Sequence, residues 1–155
     1  MAGIIGAGRV TAEGIYGSLA IAVVCLAWEG DRLGELALEV TVFAVSLWLF
    51  QVYARVVHAG WGQRNLSAVA RWARREWPHL EAAIPALLAL LIGWLAGWDP
   101  IQTSDVALAA TLLNLFAWQV TLLRSDRQSP TIMAVTLVLD FVVVVALLAL
   151  RLWIK

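Results

Sequence analysis

Apolar residues run in five long blocks along the chain, and the short stretches between them collect nearly all of the charge. The blocks cover 14–28, 36–54, 80–98, 106–123 and 131–150. At about 1.5 Å of helical rise per residue, against a hydrocarbon core about 30 Å thick, blocks of this kind predict membrane spans. Within each block the apolar residues are continuous, without the alternation of barrel strands, so the spans are helical. The pattern therefore predicts an all-α polytopic membrane protein, with residues 1–155 forming one transmembrane domain of five helices.

Composition fits that class. Hydrophobic residues make up 62% of the chain and charged residues 14%, and mean hydropathy is +0.83. The formal net charge is zero, so no global field favours nucleic acid. The single cysteine, Cys25, lies inside the first block, where it reads as a small packing residue. Only Arg9 precedes that block, Glu13 stands at its start, and Trp28-Glu29-Gly30 makes a poor cleavage site, so no cleaved signal peptide is expected.

Basic residues set the orientation. Arg55, Arg64, Arg71, Arg74 and Arg75 lie between the second and third blocks, and Arg124 and Arg127 between the fourth and fifth. The other two loops are acidic, with Glu29, Asp31, Glu35, Asp99 and Asp105. The positive-inside rule then puts the N-terminus in the cytoplasm of a cell whose inner (plasma) membrane holds the protein. Trp28, Trp98 and Trp153 are expected at the outer boundary, and Trp61, Trp72 and Trp77 at the inner one. Residues 66–77 follow an Asn65/Ser67 cap signal and predict an interfacial helix. It would have Leu66, Val69, Ala70 and Trp77 on one side and Arg71, Arg74 and Arg75 on another, facing anionic lipid headgroups. Pro78 is expected to end it and start the third span.

A shift of 68 residues places Glu13 on Glu81, Leu19 on Leu87, Asp31 on Asp99, Leu47 on Leu115, Gln51 on Gln119 and Val52 on Val120. Spans 1–2 and 3–4 are thus expected to form two parallel helical-hairpin repeats, with the fifth helix outside them.

Polar groups inside spans are the candidate functional residues, because an intramembrane charge costs about 2.5–3.5 kcal/mol on insertion scales. Asp140 stands near the middle of the fifth block, and Asn114 is its expected neighbour by depth. Gln51 and Gln119 sit nearer the cytoplasmic side. Glu13 and Glu39 open the first and second spans, where helix-dipole stabilisation alone accounts for a carboxylate. Hydrogen-bonded glue between helices is the competing role for Asp140, Asn114, Gln51 and Gln119. Gly93-Trp94-Leu95-Ala96-Gly97 is a GxxxG, and Gly14, Gly17 and Ser18 make one side of span 1 smooth for close packing. His58 and His79 lack metal-ligand spacing, no catalytic motif occurs, and neither cofactor nor enzyme activity is expected.

The stretch from Arg9 to Ala22, with Glu13-Gly14-Ile15-Tyr16, resembles the opening of the endosomal–lysosomal potassium channel family and its bacterial homologues. In that family an Arg precedes Phe-Ser-Asp-Gly-Val-Phe-Ala at the start of the pore-lining helix. Glu13 matches the Asp, Gly14 the Gly and Tyr16 the Phe, and Phe43 to Arg55 around Trp48 is similar to the family's second helix. Thr11-Ala12 replaces Phe-Ser, Ser18 stands at the apolar constriction, and five spans replace six. The resemblance implies a cation channel whose first helix lines the pore. Together these features predict an oligomeric channel or carrier for a small cation or proton. The alternative is a non-transporting membrane subunit or scaffold that docks a partner through its basic loop.

Overall fold

A computed structural model describes residues 2–59 and 66–125, with side chains from residue 13 to residue 121, and seven single positions between 135 and 153. All regular structure among the described residues is helical. Helices α1 (Ala2–Ala27) and α2 (Leu33–His58) form a hairpin; α3 (Leu66–Arg75) and the single turn α4 (Pro78–Glu81) connect it to α5 (Ile84–Ala96) and α6 (Pro100–Ser125).

Local chemistry sets the ends of α5 and α6. Pro85 lies in the first turn of α5, where its missing N–H costs nothing, but its ring cannot follow Glu81 in an unbroken helix. The third block is therefore not one helix from residue 80. It breaks at Ala82–Ala83 and bends by 45° into α5. Gly97 ends α5 at φ 67, with Trp98 N–H on the Gly93 carbonyl at 2.9 Å and Gly97 N–H on Trp94 at 3.3 Å, a complete Schellman pattern. The second glycine of the GxxxG is thus a helix terminator, and only Gly93 provides the close approach. A Cβ added there would stand 2.2 Å from Thr103 Cγ2 of α6. Asp99 caps α6 by accepting from Ile101 N–H at 3.0 Å, with Pro100 in the next position.

The four long helices pack in the ring order α1–α2–α5–α6, with α4 wedged against α1 and α2, and α3 against α2. Their shared core includes Ile21, Cys25, Leu36, Val40, Leu90, Leu108 and Leu112. Burial agrees with the 68-residue shift at several pairs and departs from it at others, Thr103, Ala107 and Thr111 being buried where Glu35, Glu39 and Phe43 are exposed. Ser18 and Ala86, Ile21 and Ala89, Ala22 and Leu90, and Cys25 and Gly93 are all buried, as are Leu36 and Ser104, Val40 and Leu108, and Ala44 and Leu112.

The outside is apolar. Val42, Leu49, Phe50, Leu88, Ile92, Leu95, Leu113 and Phe116 are large apolar side chains left exposed. Among the described residues one helix, α2, is long and apolar enough to cross a membrane, with mean hydropathy 1.7 and only 17% of that window buried. The bent unit of α3–α4 with α5 raises the number to two. Most of the fifth predicted span, Asp140 included, lies outside the described residues.

Several expected placements change. Glu13 sits in the middle of α1, and Glu39 is exposed in the second turn of α2 rather than the first. Trp28 is buried over Gly30, just past the end of α1. Helix α3 turns a different face inward. Ala68 is buried, with Val69, Trp72 and Ala73 half-buried, while Leu66 and Ala70 are exposed. The reason is anchoring: the Trp48 indole of α2 donates to the Ala73 carbonyl at 2.9 Å, and Glu76 just beyond is held by Arg55.

Candidate functional site

Three connected segments bring ionisable groups to one end of the bundle. Arg55, in the last turn of α2, points back across α1. Its Nη2 donates to Glu13 Oε1 at 2.8 Å and its Nε to Glu76 Oε1. One guanidinium thereby bridges carboxylates 42 and 21 residues away in sequence. The Glu76 side chain is 1% exposed, Glu13 11% and Arg55 22%, so the bridge lies mostly out of water.

His79 completes the cluster. Its Nδ1 lies 3.2 Å from the Glu76 backbone carbonyl, which can only accept, so the ring hydrogen is on Nδ1. The same nitrogen is 3.6 Å from Glu76 Oε2, an atom with no hydrogen-bond partner among the described residues. Burial holds the imidazole below its ordinary range; Glu13 pulls it up and Arg55 pushes it further down. The chain approaches this closely because Gly17 of α1 leaves room. A Cβ there would be 2.8 Å from Ala82 Cβ and 3.2 Å from His79 Cα.

A polar stripe leads away from the cluster along the inner face of α6. Gly14 admits the Trp118 indole, where a Cβ would stand 2.7 Å from the ring. Beside it Gln119 is buried, its Oε1 without a partner among the described residues. Further along, Asn114 donates to Ser18 Oγ of α1 at 2.9 Å. Thr111, Ser104 and Thr103 follow, all fully buried. Their hydroxyls donate to carbonyls of their own helix, at 2.8–3.0 Å. From Gln119 to Thr103 the stripe spans about 24 Å at the helical rise.

Of the residues expected from sequence, Glu13 enters the cluster, and Gln119 and Asn114 enter the stripe. Gln51 is half-buried on α2, Glu39 lies outside on the exposed face, and Arg71, Arg74 and Arg75 are exposed on α3. Asn114 meets Ser18; its expected partner, Asp140, lies outside the described residues. Sequence reasoning passed over Glu76 entirely, and took Arg55 as a loop charge and His79 as a flanking residue. Depth was the available signal, since Glu13 near the start of one block and Arg55 just past the end of the next are level in an antiparallel hairpin.

An apolar groove of about 320 Å³ opens between the start of α2 and the end of α5, lined by Leu33, Ala37, Leu87, Leu90 and Trp94 among others. It offers little to recognise a polar ligand. Among the described residues no group of three or more His, Cys, Asp or Glu could hold a metal ion. The chain matches no family model, no curated protein and no solved structure.

Proposed function

We propose that this protein is a small polytopic membrane protein that carries a proton or small cation across the bilayer. The observation that carries the reading is the Glu13–Arg55–Glu76–His79 cluster, buried at one end of a polar stripe inside a bundle with an apolar exterior. Buried ionisable groups are expensive, and in lipid-facing bundles they mark ion and proton routes. In this reading five helices cross the inner membrane with the cluster near the cytoplasmic face. The α1–α2 and α5–α6 hairpins are parallel repeats, and copies of the chain assemble to enclose the path. The resemblance of the α1 opening to the potassium channel family supports a transport role. Exposed Arg71, Arg74 and Arg75 rest on anionic headgroups.

One observation favours the non-transporting alternative. Thr103, Ser104 and Thr111 satisfy their own helix, and Asn114 bonds Ser18, which is what helix glue does. Flux of potassium, sodium and protons into liposomes holding the purified protein separates the two. Transport of any of them above empty liposomes supports the proposal; a folded protein that moves none refutes it. Cysteines placed at Ser67 and Asp31 label from opposite sides if the topology is as proposed.

A further inference from the structure

We infer that the species handled by the cluster is a proton, taken up at Glu76 Oε2, and not a metal cation; the inference rests on the transport reading above. The Glu76 side chain is 1% exposed and its two oxygens differ. Oε1 accepts from Arg55 Nε, while Oε2 meets no donor at hydrogen-bond distance among the described residues. A desolvated acceptor left without a donor is unfavourable, and more so when it carries charge. A proton on Oε2 removes that charge and leaves the Arg55 bond to Oε1 in place. His79 Nδ1–H, 3.6 Å away and donating to the Glu76 carbonyl, supplies a polar neighbour on the same side. Among the described residues, the charged and titratable groups seen against this carboxyl are Glu13 from α1, Arg55 from α2 and His79 from α4.

The same geometry disfavours a metal ion. Arg55 already occupies the space between the two carboxylates, and its guanidinium stays charged at any working pH. A hard cation asks for about six or more oxygen ligands. Here one oxygen of each carboxylate is taken by Arg55, and no metal-holding group of three occurs among the described residues. A proton needs one oxygen and no coordination shell. The step balances simply: one H⁺ leaves bulk water and forms an O–H bond at Oε2, and the same H⁺ later leaves, with no other bond made or broken.

The test uses full-length protein in liposomes with an internal pH dye, with the membrane potential set by a potassium gradient and valinomycin. Proton influx is expected in the wild type, a loss of about a hundredfold in Glu76→Gln, and unchanged flux in Gln102→Ala, an exposed position on α6. Sodium or potassium flux without proton flux overturns this inference and leaves the transport reading standing. A folded protein that moves no ion overturns both. Should Glu76→Gln not fold, infrared difference spectra of the wild type between about pH 5 and about pH 8 decide the matter. A protonated-carboxyl stretch is expected to grow on acidification and to shift in Glu76→Asp. Its absence, or a band indifferent to Glu76→Asp, refutes uptake at this residue.

Discussion

Arg55→Met tests whether the cluster is dry. Methionine keeps roughly the apolar stem of the arginine, is shorter, and removes the charge and all donors. Glu76, with a side chain 1% exposed, then loses its guanidinium partner, and Glu13, at 11%, loses a bond of 2.8 Å. Breaking a buried pair from one side costs about 3–5 kcal/mol, because the surviving charge stays buried. The expected loss lies in that range, dominated by Glu76, the less accessible of the two. Arg55→Met/Glu76→Leu, which removes the stranded charge, is expected to recover to within about 1 kcal/mol of wild type. The coupling between the two substitutions should therefore reach about 2 kcal/mol or more. Arg32→Met is the internal control, since Arg32 and Glu35 pair at 3.2 Å with side chains 75% and 55% exposed; such a pair is worth about 0–1 kcal/mol. The assay is reversible unfolding in mixed micelles titrated with a denaturing detergent, read by tryptophan fluorescence. If Arg55→Met costs no more than Arg32→Met, or if the two cluster substitutions are additive, the bridge is hydrated and the reasoning fails.

Gly93→Ala should destabilise by about 1–3 kcal/mol, since its Cβ would fall 2.2 Å from Thr103 Cγ2 and 2.5 Å from Thr103 Oγ1 on a fully buried residue; wild-type stability in the same unfolding assay would show that α5 and α6 are further apart. Burial lowers His79, so the unfolded chain binds more protons just below its ordinary value of 6.5. That contribution to stability is present above 6.5 and lost as pH falls through the lowered value, and the difference in stability between wild type and His79→Asn should narrow across the window. A pH-independent difference would refute the placement. Replacing Arg71, Arg74 and Arg75 together by Gln should weaken association with anionic lipid by about 1 kcal/mol per charge. The measure is retention of acidic over zwitterionic lipid after purification, and equal retention would contradict a headgroup role.

Helix positions were the legible part of this chain, because apolar runs and turn residues act locally. Leu33–His58 brackets the 36–54 block, and α3 begins at Leu66, where the cap signal put it. What the sequence hid came from contacts between elements. The inward face of α3 follows from Trp48 reaching Ala73 and Arg55 reaching Glu76, 25 and 21 residues apart, and no periodicity within 66–77 encodes either. Pro78 was legible as a stop, but Pro85, seven residues on, is the proline that starts α5. Glu13 was explicable as a first-turn carboxylate only while α1 was taken to begin beside it; in a helix from Ala2 it needs a partner, and Arg55 is that partner.

In the repeat reading proposed above, the scaffold is doubled while the site is single. Burial coincides at pairs such as Ile21 and Ala89 or Val40 and Leu108, and differs at Glu39 and Ala107 or Phe43 and Thr111. The cluster does not repeat. Its four members fall on Glu81, Leu123, Val144 and Leu147 after the shift, and only the first keeps its chemistry. Two of the four, Glu76 and His79, belong to the 55–80 connection rather than to the long helices. That connection has no counterpart of similar length between the α5–α6 hairpin and the last apolar block. Function, in this reading, was added where the repeat is broken: a basic segment folded into α3 and α4, and its acidic end turned inward to meet Arg55. Substitutions at paired scaffold positions such as Val40 and Leu108 should then affect stability alike, whereas Glu76 and Glu81 should differ sharply in their effect on flux.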